Sequence, residues 1–495
     1  MQNFTSRQLA GRLIMVRITG TTLDAGTRAF LQTNAVRAAC LFRNNMVDAA
    51  QLKTLNTELR AVMGESALIA LDQEGGAVVR STWVPAPPSA MALGAAGDVD
   101  LARRTGAAVG RAVKSLGFNW NFAPVLDLNN NPHNPVIAER SFGADPEQAT
   151  SLALAWMAGS ESVGVACCVK HFPGHGDTSV DSHRDLPTVD KPLSELERFE
   201  LAPFRQAAPF APAMMTAHIV YPTLDADNPA TMSRAILTDL LRQQWNYQGV
   251  IITDAMDMHA IAHRYGAGQA AVNALVAGAD MVMAVGAPDI QEATIAAIAA
   301  AIDDGTLSAQ DVAERLARLD ALAASYPCAV SDYAEDGADR ALMLEGWQRA
   351  LSARGAVARP PAGAKLRLVM RQDRVSDGVS EPGVSAQALS QSLRRLYEVD
   401  LLTYADAESF DWATLPQDGR FTVLASTSRL RYGPHARESF KPDLHLALWN
   451  PYQALDIAAP ALITYGFAAP ALDAVNDWLA GTIEARGAAP VPGFI

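Results

Sequence analysis

The chain has 495 residues, more than one hydrophobic core usually supports, so two domains are expected. Its net charge of −13, from 40 basic and 53 acidic residues, disfavours a nucleic-acid partner. No apolar run of about 18 residues and no secretory leader pattern occurs, so we expect a cytoplasmic protein without a membrane span.

The first part of the chain alternates short apolar runs, typical of strands, with longer amphipathic segments, typical of helices. Candidate strands lie at 13–18, 38–43, 67–72, 120–128, 165–172, 212–219, 249–256 and 280–285. Helical patterns lie between most of them, as at 100–117 and at 233–245, where Ser233 is a typical N-cap. This alternation predicts a (β/α)8 barrel of the TIM type. A doubly wound open sheet competes with it, but no Gly-rich dinucleotide fingerprint follows the first strand.

The pattern changes after residue 328. A helical segment at 333–355 is followed by the chain-breaking sequence RPPAG. Further candidate strands then lie at 365–370, 399–404, 421–426, 444–449 and 461–466, with a helical pattern at 385–397. The sequence therefore predicts three parts. They are a TIM-like barrel over 1–328, a helical connector and linker over 329–362, and a smaller α/β domain with a mostly parallel sheet over 363–495.

Polar side chains cluster where the strands of the first part end. They are Asp72, Asp127, Lys170, His171, His218 and Asp254. In a (β/α)8 barrel the carboxyl ends of the strands form the edge at which active sites lie. The four cysteines, Cys40, Cys167, Cys168 and Cys328, lack the spacing of a zinc site. We interpret them as reduced core residues.

The stretch KHFPGHGDTSVDSHRDLP, residues 170–187, concentrates three histidines and three aspartates. His171 and His175 have a spacing that can bind zinc on a helix, but Pro173, Gly174 and Gly176 would break a helix there. We therefore expect a loop without a metal, and we expect no organic cofactor. His175 and Asp177 are interpreted as residues that brace this loop.

Acid–base chemistry is the other function that this stretch can serve. Asp181 next to His183 can fix the tautomer of the imidazole and raise its basicity, which suits proton transfer near neutral pH. A second site is GVIITDAMDM, where an apolar strand delivers Asp254 to the edge of the barrel. Asp257 fits the alternative role of a helix cap better. A carboxylate nucleophile with a separate proton donor is the logic of a retaining glycosidase, although the usual donor is a second carboxyl group.

Several segments resemble glycoside hydrolase family 3, in its bacterial β-N-acetylglucosaminidase branch of the two-domain type. The matching segments are LDQEGGAVVR, NFAPVLDLNNNPHNPVIAERSFGADP, KHFPGHGDTSVDSHRDLP, MMTAHIVYPTLD and GVIITDAMDM. The second domain matches more loosely, through ALWNPYQALD and ARGAAPV. The resemblance implies that Asp254 is the nucleophile and that His183, oriented by Asp181, is the general acid/base. It also implies that the sugar is held by Asp72, Arg80, Arg140, Lys170 and His171.

The resemblance further implies an exo-acting, retaining β-N-acetylglucosaminidase that acts on cell-wall fragments or chitin-type oligosaccharides. A phosphorylase that uses phosphate in place of water is one alternative, and a β-glucosidase or β-xylosidase of the same family is another. The alternative from a different class is a catalytically silent sugar-binding protein. We expect a small carbohydrate as the only ligand, and either a monomer or a homodimer.

Overall fold

The computed structural model describes residues 4–178, 186–329, 337–361, 363–373 and 380–494. Eight strands of the first part close into a barrel in sequence order, and every neighbouring pair is parallel. The strands are β1 (Ile14–Arg17), β2 (Ala38–Cys40), β3 (Leu68–Leu71), β4 (Trp120–Asn121), β5 (Ala166–Phe172), β6 (Ala213–Thr216), β7 (Val250–Ala255) and β8 (Met281–Ala284). This confirms the predicted barrel, and the alternative prediction of a doubly wound open sheet is wrong.

Twelve helices precede, connect or follow the described strands of the barrel. They are α1 (Ser6–Arg12), α2 (Ala25–Thr33), α3 (Ala49–Met63), α4 (Ala90–Ala96), α5 (Val99–Ser115), α6 (Pro146–Ser162), α7 (Leu193–Arg198), α8 (Leu201–Ala207), α9 (His259–Tyr265), α10 (Ala267–Ala277), α11 (Pro288–Asp303) and α12 (Ala309–Ser325). The segment predicted as a helix at 233–245 is a π-helix over Ala235–Gln244, and the Ser233 hydroxyl accepts from the Ile236 N–H. The strand predicted at 120–128 is only two residues long. Pro124, which has no N–H to donate to a neighbouring strand, follows it closely.

The second part is a six-stranded sheet in the order β11-β10-β12-β13-β14-β9. Its strands are β9 (Ser352–Arg354), β10 (Lys365–Arg371), β11 (Glu398–Tyr404), β12 (Phe421–Ser426), β13 (Leu444–Ala447) and β14 (Ala461–Ile463). Its helices are α13 (Gly337–Ala350), α14 (Ala386–Leu393), α15 (Pro434–Ser439), α16 (Gln453–Asp456) and α17 (Ala469–Leu479). All pairs are parallel except β9 with β14, so the mostly parallel sheet is confirmed. Strand β9 lies within the range predicted as a connector; the domain boundaries themselves stay predictions.

The barrel is filled by one continuous apolar cluster, whereas the second sheet carries a cluster on each face. The two parts meet at a shared apolar cluster, which joins Met91 and Ala92 to Trp347 and Tyr452, and at polar and ionic contacts. The Ser89 hydroxyl donates to the Tyr465 carbonyl at 2.7 Å, and Arg429 forms a buried ion pair with Glu139 at 2.7 Å. All four cysteines are buried and free, as expected of core residues.

Among the helices in the described ranges, none combines the length and the apolar character that a membrane crossing requires.

Candidate active site

A cavity of about 600 Å³ opens at the carboxyl ends of the barrel strands. Six of the eight residues expected to act in catalysis or sugar binding line it together: Asp72, Arg80, Arg140, Lys170, His171 and Asp254. The other two, Asp181 and His183, lie outside the described residues. The cavity therefore brings together side chains from β3, β5, β7 and the loop before α6.

One side of this cavity is a network of buried charges, which we call the mouth cluster: Asp72, Glu74, Arg140 and Lys170. The Lys170 Nζ lies 2.7 Å from Asp72 Oδ1 and 2.7 Å from Glu74 Oε1. Arg140 donates two hydrogen bonds to Glu74, from Nε to Oε2 at 2.9 Å and from Nη2 to Oε1 at 2.8 Å. Arg80 adds a longer ion pair to Asp72, at 3.6 Å. Three cations thus face two carboxylates on this side.

Within the mouth cluster, ion pairing shifts the pKa values more strongly than burial does. Burial alone would raise the pKa of Glu74, but the charges of Arg140 and Lys170 hold that pKa well below its usual range. Burial would likewise lower the pKa of Lys170 and of Arg140, yet the neighbouring carboxylates raise both. All three groups are therefore charged at neutral pH, so the mouth cluster offers fixed donors and acceptors rather than groups that exchange protons.

His171 points one ring nitrogen at a buried carboxylate. Its Nδ1 lies 2.6 Å from Asp127 Oδ2, and its backbone N–H donates to Asp127 Oδ1 at 3.1 Å. An ionised carboxylate only accepts, so Nδ1 carries the proton in this bond. Burial would raise the pKa of Asp127, but His171 and His175 lower it. His171 is thereby held at the cavity wall with Nε2 turned towards Arg140, at 3.5 Å.

The loop after β5 is braced as far as it is described. The backbone N–H of His175 donates to Asp127 at 2.6 Å, its ring lies 2.8 Å from the Thr178 hydroxyl, and Asp177 pairs with Lys191 at 2.6 Å. Burial lowers the pKa of His175 to about 4, so its ring is neutral at pH 7. These contacts confirm the bracing role of both residues.

A glycine is required at one position of the same loop. A Cβ placed on Gly176 would lie 1.6 Å from the carbonyl oxygen of Leu128. The loop therefore packs directly against the backbone that follows β4.

Strand β7 carries Asp254 to the opposite side of the cavity. The Ala255 N–H donates to Asp254 Oδ1 at 2.7 Å, and His218 Nε2 lies 3.0 Å from the Ala255 carbonyl. The surrounding wall is largely apolar, with Met215, Met283 and Val285. This side thus presents the strand-end carboxylate of Asp254 next to apolar side chains, with Asp257 and Arg17 nearby.

Asp257 does not cap a helix. Helix α9 begins after Met258 and has no side-chain cap, whereas Asp257 lines the cavity. The capping role suggested by the sequence is therefore wrong.

Two further carboxylates were not singled out in the sequence. Glu74 lies two residues beyond Asp72 in a segment already noted, so its place next to a strand end was a usable signal. Glu381 reaches the cavity from the second domain. Nothing local to its sequence marks it, because its position depends on how the two parts pack.

No set of three His, Cys, Asp or Glu side chains in the described ranges is arranged to hold a metal ion. The histidines with zinc-like spacing, His171 and His175, are instead bonded to Asp127 and Thr178.

Comparisons with known proteins agree on one family. Residues 6–322 match the model of the glycosyl hydrolase family 3 N-terminal domain. "Beta-hexosaminidase A" of Pseudoalteromonas piscicida is 36% identical over 337 residues, which are 62% of this chain and 56% of that protein. "Beta-hexosaminidase" of Chromobacterium violaceum is 39% identical over 298 residues, 58% of this chain and 82% of that protein. A solved family 3 β-N-acetylglucosaminidase from Paenibacillus sp. str. FPU-7 is similar over 99% of both chains, with 31% identity and a TM-score of 0.89.

Proposed function

The chain belongs to glycosyl hydrolase family 3, and on this basis we propose that it is a retaining, exo-acting β-N-acetylglucosaminidase. The observation that carries the proposal is the cavity itself. It sets Asp254, on an apolar wall, across from a cluster of fixed charges at the carboxyl end of one barrel.

The fixed charges suit the recognition of a neutral sugar. Carboxylates accept from sugar hydroxyls, and Lys170, Arg80 and Arg140 donate to them. These side chains already have partners, so their positions do not have to be organised when the substrate arrives. We propose that Asp72, Arg80, Arg140, Lys170 and His171 hold the terminal sugar.

The reaction proceeds by two displacements at the anomeric carbon. The Asp254 carboxylate attacks that carbon, and the bond to the leaving oxygen breaks with its electron pair. His183, outside the described residues, gives its proton to that oxygen while Asp181 orients the ring. Water then attacks the same carbon, gives a proton to His183 and releases Asp254. Two inversions retain the β configuration.

The loop that precedes His183 supports its proposed role. Residues up to Thr178 are tied to Asp127 and Lys191, and they continue directly from the strand end that carries Lys170 and His171. The described part of this loop therefore starts from a strand end that lines the cavity. Cell-wall fragments or chitin-type oligosaccharides are the proposed substrates, and a cytoplasmic location and a monomer or homodimer stay predictions.

Turnover of aryl glycosides tests this proposal. We expect an aryl β-N-acetylglucosaminide to be cleaved at least about tenfold faster than the matching β-glucoside or β-xyloside, with free GlcNAc as product. Parallel reactions with inorganic phosphate identify a phosphorylase by the formation of GlcNAc 1-phosphate. Preference for the glucoside, or the 1-phosphate as the main product, would overturn the proposal.

A further inference from the structure

The second domain places a carboxylate in the cavity of the barrel. Ser380 and Glu381 line the same cavity as Asp254 and Lys170. Glu381 is half-buried. Among the described residues, no side chain lies within hydrogen-bonding or ion-pair distance of its carboxylate. Glu74, a carboxylate of the barrel in the same cavity, has both oxygens occupied by Arg140 and Lys170. Glu381 therefore differs from it, because none of the described side chains occupies its carboxylate oxygens.

A backbone hydrogen bond fixes Glu381 against the barrel. Its N–H donates to the carbonyl of Ala77 at 2.8 Å, across the boundary between the two parts. Ala77 lies in the turn between Glu74 and Arg80. That turn is itself held by Gln73, whose Oε1 accepts from the Arg80 N–H at 2.9 Å. Glu381 is thereby tied to the turn that carries two residues of the charged side of the cavity.

A second contact holds the domains in this relation. Glu139 and Arg140 are consecutive, and they face different partners. Glu139 pairs with Arg429 of the second domain at 2.7 Å, whereas Arg140 pairs with Glu74 in the cavity. Both side chains of the Glu139–Arg429 pair are at most 4% exposed. The second domain is therefore docked onto the same short segment that supplies a cavity residue.

We propose that Glu381 is a specificity-determining residue that accepts hydrogen bonds from hydroxyl groups of the terminal sugar, so that the second domain completes the substrate site. This inference rests on the proposed function. When a sugar fills the cavity, a half-buried carboxylate loses water, and sugar hydroxyls replace it as donors in charge-assisted bonds. The same negative charge disfavours a sugar with a carboxylate at that position, such as a uronic acid.

The experiment compares three variants in the full chain. Glu381→Ala and Glu381→Gln remove the charge at the cavity, and Glu438→Ala removes an exposed carboxylate of the same domain that lies outside it. With an aryl β-N-acetylglucosaminide we expect Glu381→Ala to lower kcat/KM by about 10- to 100-fold, mainly through KM. Glu381→Gln should lose less, because its amide oxygen still accepts. Glu438→Ala should match the wild type.

Substrates lacking a single hydroxyl separate a direct contact from an indirect one. If Glu381 accepts from one hydroxyl, the substrate without that hydroxyl loses activity with the wild type but loses nothing further with Glu381→Ala. Additive losses with every deoxy substrate would overturn the inference. Restoration of Glu381→Ala by azide, with a glycosyl azide as product, would also overturn it by marking Glu381 as a proton donor.

The two proposals fail in different ways. A wild-type protein that does not cleave the N-acetylglucosaminide contradicts the proposed function. An active wild type with Glu381→Ala equal to Glu438→Ala contradicts only the role of Glu381.

Discussion

The barrel carries a buried cluster of opposite charges at each of its ends. At the carboxyl ends of the strands lies the mouth cluster, in which Glu74 sits between Arg140 and Lys170. At the other end Asp280 precedes β8 and accepts from Arg242 at 2.7 Å, from Arg318 at 2.8 Å and from the Ile251 N–H at 2.8 Å. We call this second set the base cluster.

The two clusters share one chemistry and differ in position. Each sets a buried carboxylate between two cations, so an ion cluster by itself does not mark a functional site. The mouth cluster lines the cavity that also contains Asp254, whereas Asp280 joins strand and helix ends at the face where barrels are stabilised. The position of such a cluster, rather than its chemistry, therefore distinguishes the charges that we propose to bind substrate from the charges that stabilise the fold.

The largest expected effect is at Asp254, the proposed nucleophile. Asp254→Ala should lower turnover of an aryl β-N-acetylglucosaminide by about 10⁴-fold or more, because no covalent intermediate can form. The free energy of unfolding should change by less than about 1 kcal/mol, since the side chain ends on the cavity rather than in the core. Initial rates and urea unfolding measure the two quantities. Unfolding of the variant under assay conditions would show that Asp254 serves the fold.

His183, the proposed proton donor, should give the next largest effect. His183→Ala should lower turnover of an alkyl or sugar-linked substrate by about 10²- to 10⁴-fold. An activated aryl substrate should lose less, because its leaving group needs little protonation. Rates measured across leaving groups of increasing pKa test this, with Arg184→Ala as a neighbouring control. Equal losses for all leaving groups would contradict the role.

The direct comparison of the two clusters uses one variant of each. Glu74→Gln should lower the free energy of unfolding by about 3 kcal/mol, because Arg140 and Lys170 lose a buried counter-charge, and should also lower kcat/KM. Asp280→Asn should lower stability by a similar amount but leave the rate per folded molecule unchanged. A variant at Asp280 that abolishes activity while remaining folded would break the distinction.

The stability that Glu74→Gln loses should depend on pH, because the pKa of Glu74 is lowered in the folded protein. A carboxyl with a lowered pKa in the folded state stabilises the protein above its unfolded value, which is 4.5, and progressively less below it. The stability difference between wild type and Glu74→Gln should therefore be full at neutral pH and shrink as the pH falls below 4.5. A difference that is independent of pH would show that ionic pairing is not its cause.

The smallest effect concerns Glu161, a carboxyl near the base of the barrel that pairs with no cation among the described residues. Burial raises its pKa to about 7, opposite in direction to Glu74. Its contribution to stability is full below 4.5 and is lost as the pH rises to about 7. Glu161→Gln should therefore match the wild type in acid and melt a few degrees higher at about pH 8. Thermal melts of both proteins at both pH values measure this difference. A variant that melts at a lower temperature than the wild type at about pH 8 would contradict the prediction.

The spacing of apolar residues predicted the fold well, because it depends on which side chains of each segment are buried. Apolar runs of strand length alternating with helical patterns gave all eight strands of the barrel, and five of six strands in the second sheet. β9 was missed because it is three residues long and is stabilised by pairing with β14, far along the chain. The strand around Asn121 was predicted too long because the apolar pattern continues past Pro124.

The site was predictable where a strand end marks it. Asp254, Lys170 and Asp72 each end an apolar run, so their place at the cavity followed from the barrel. Glu74 could have been found from its place two residues beyond Asp72, whereas Glu381 could not, because its position depends on how the two parts pack. Asp181 and His183, outside the described residues, keep their roles as predictions from the family resemblance.

The most direct test of the account is to trap the sugar on the protein. A fluorinated β-GlcNAc fluoride that forms the covalent intermediate quickly and hydrolyses slowly is incubated with the wild type, and the digested protein is examined by mass spectrometry. We expect one sugar per chain, attached to the peptide that contains Asp254. Sugar on another carboxylate such as Asp257, or cleavage of the reagent without any labelled peptide, would contradict the mechanism proposed for this cavity.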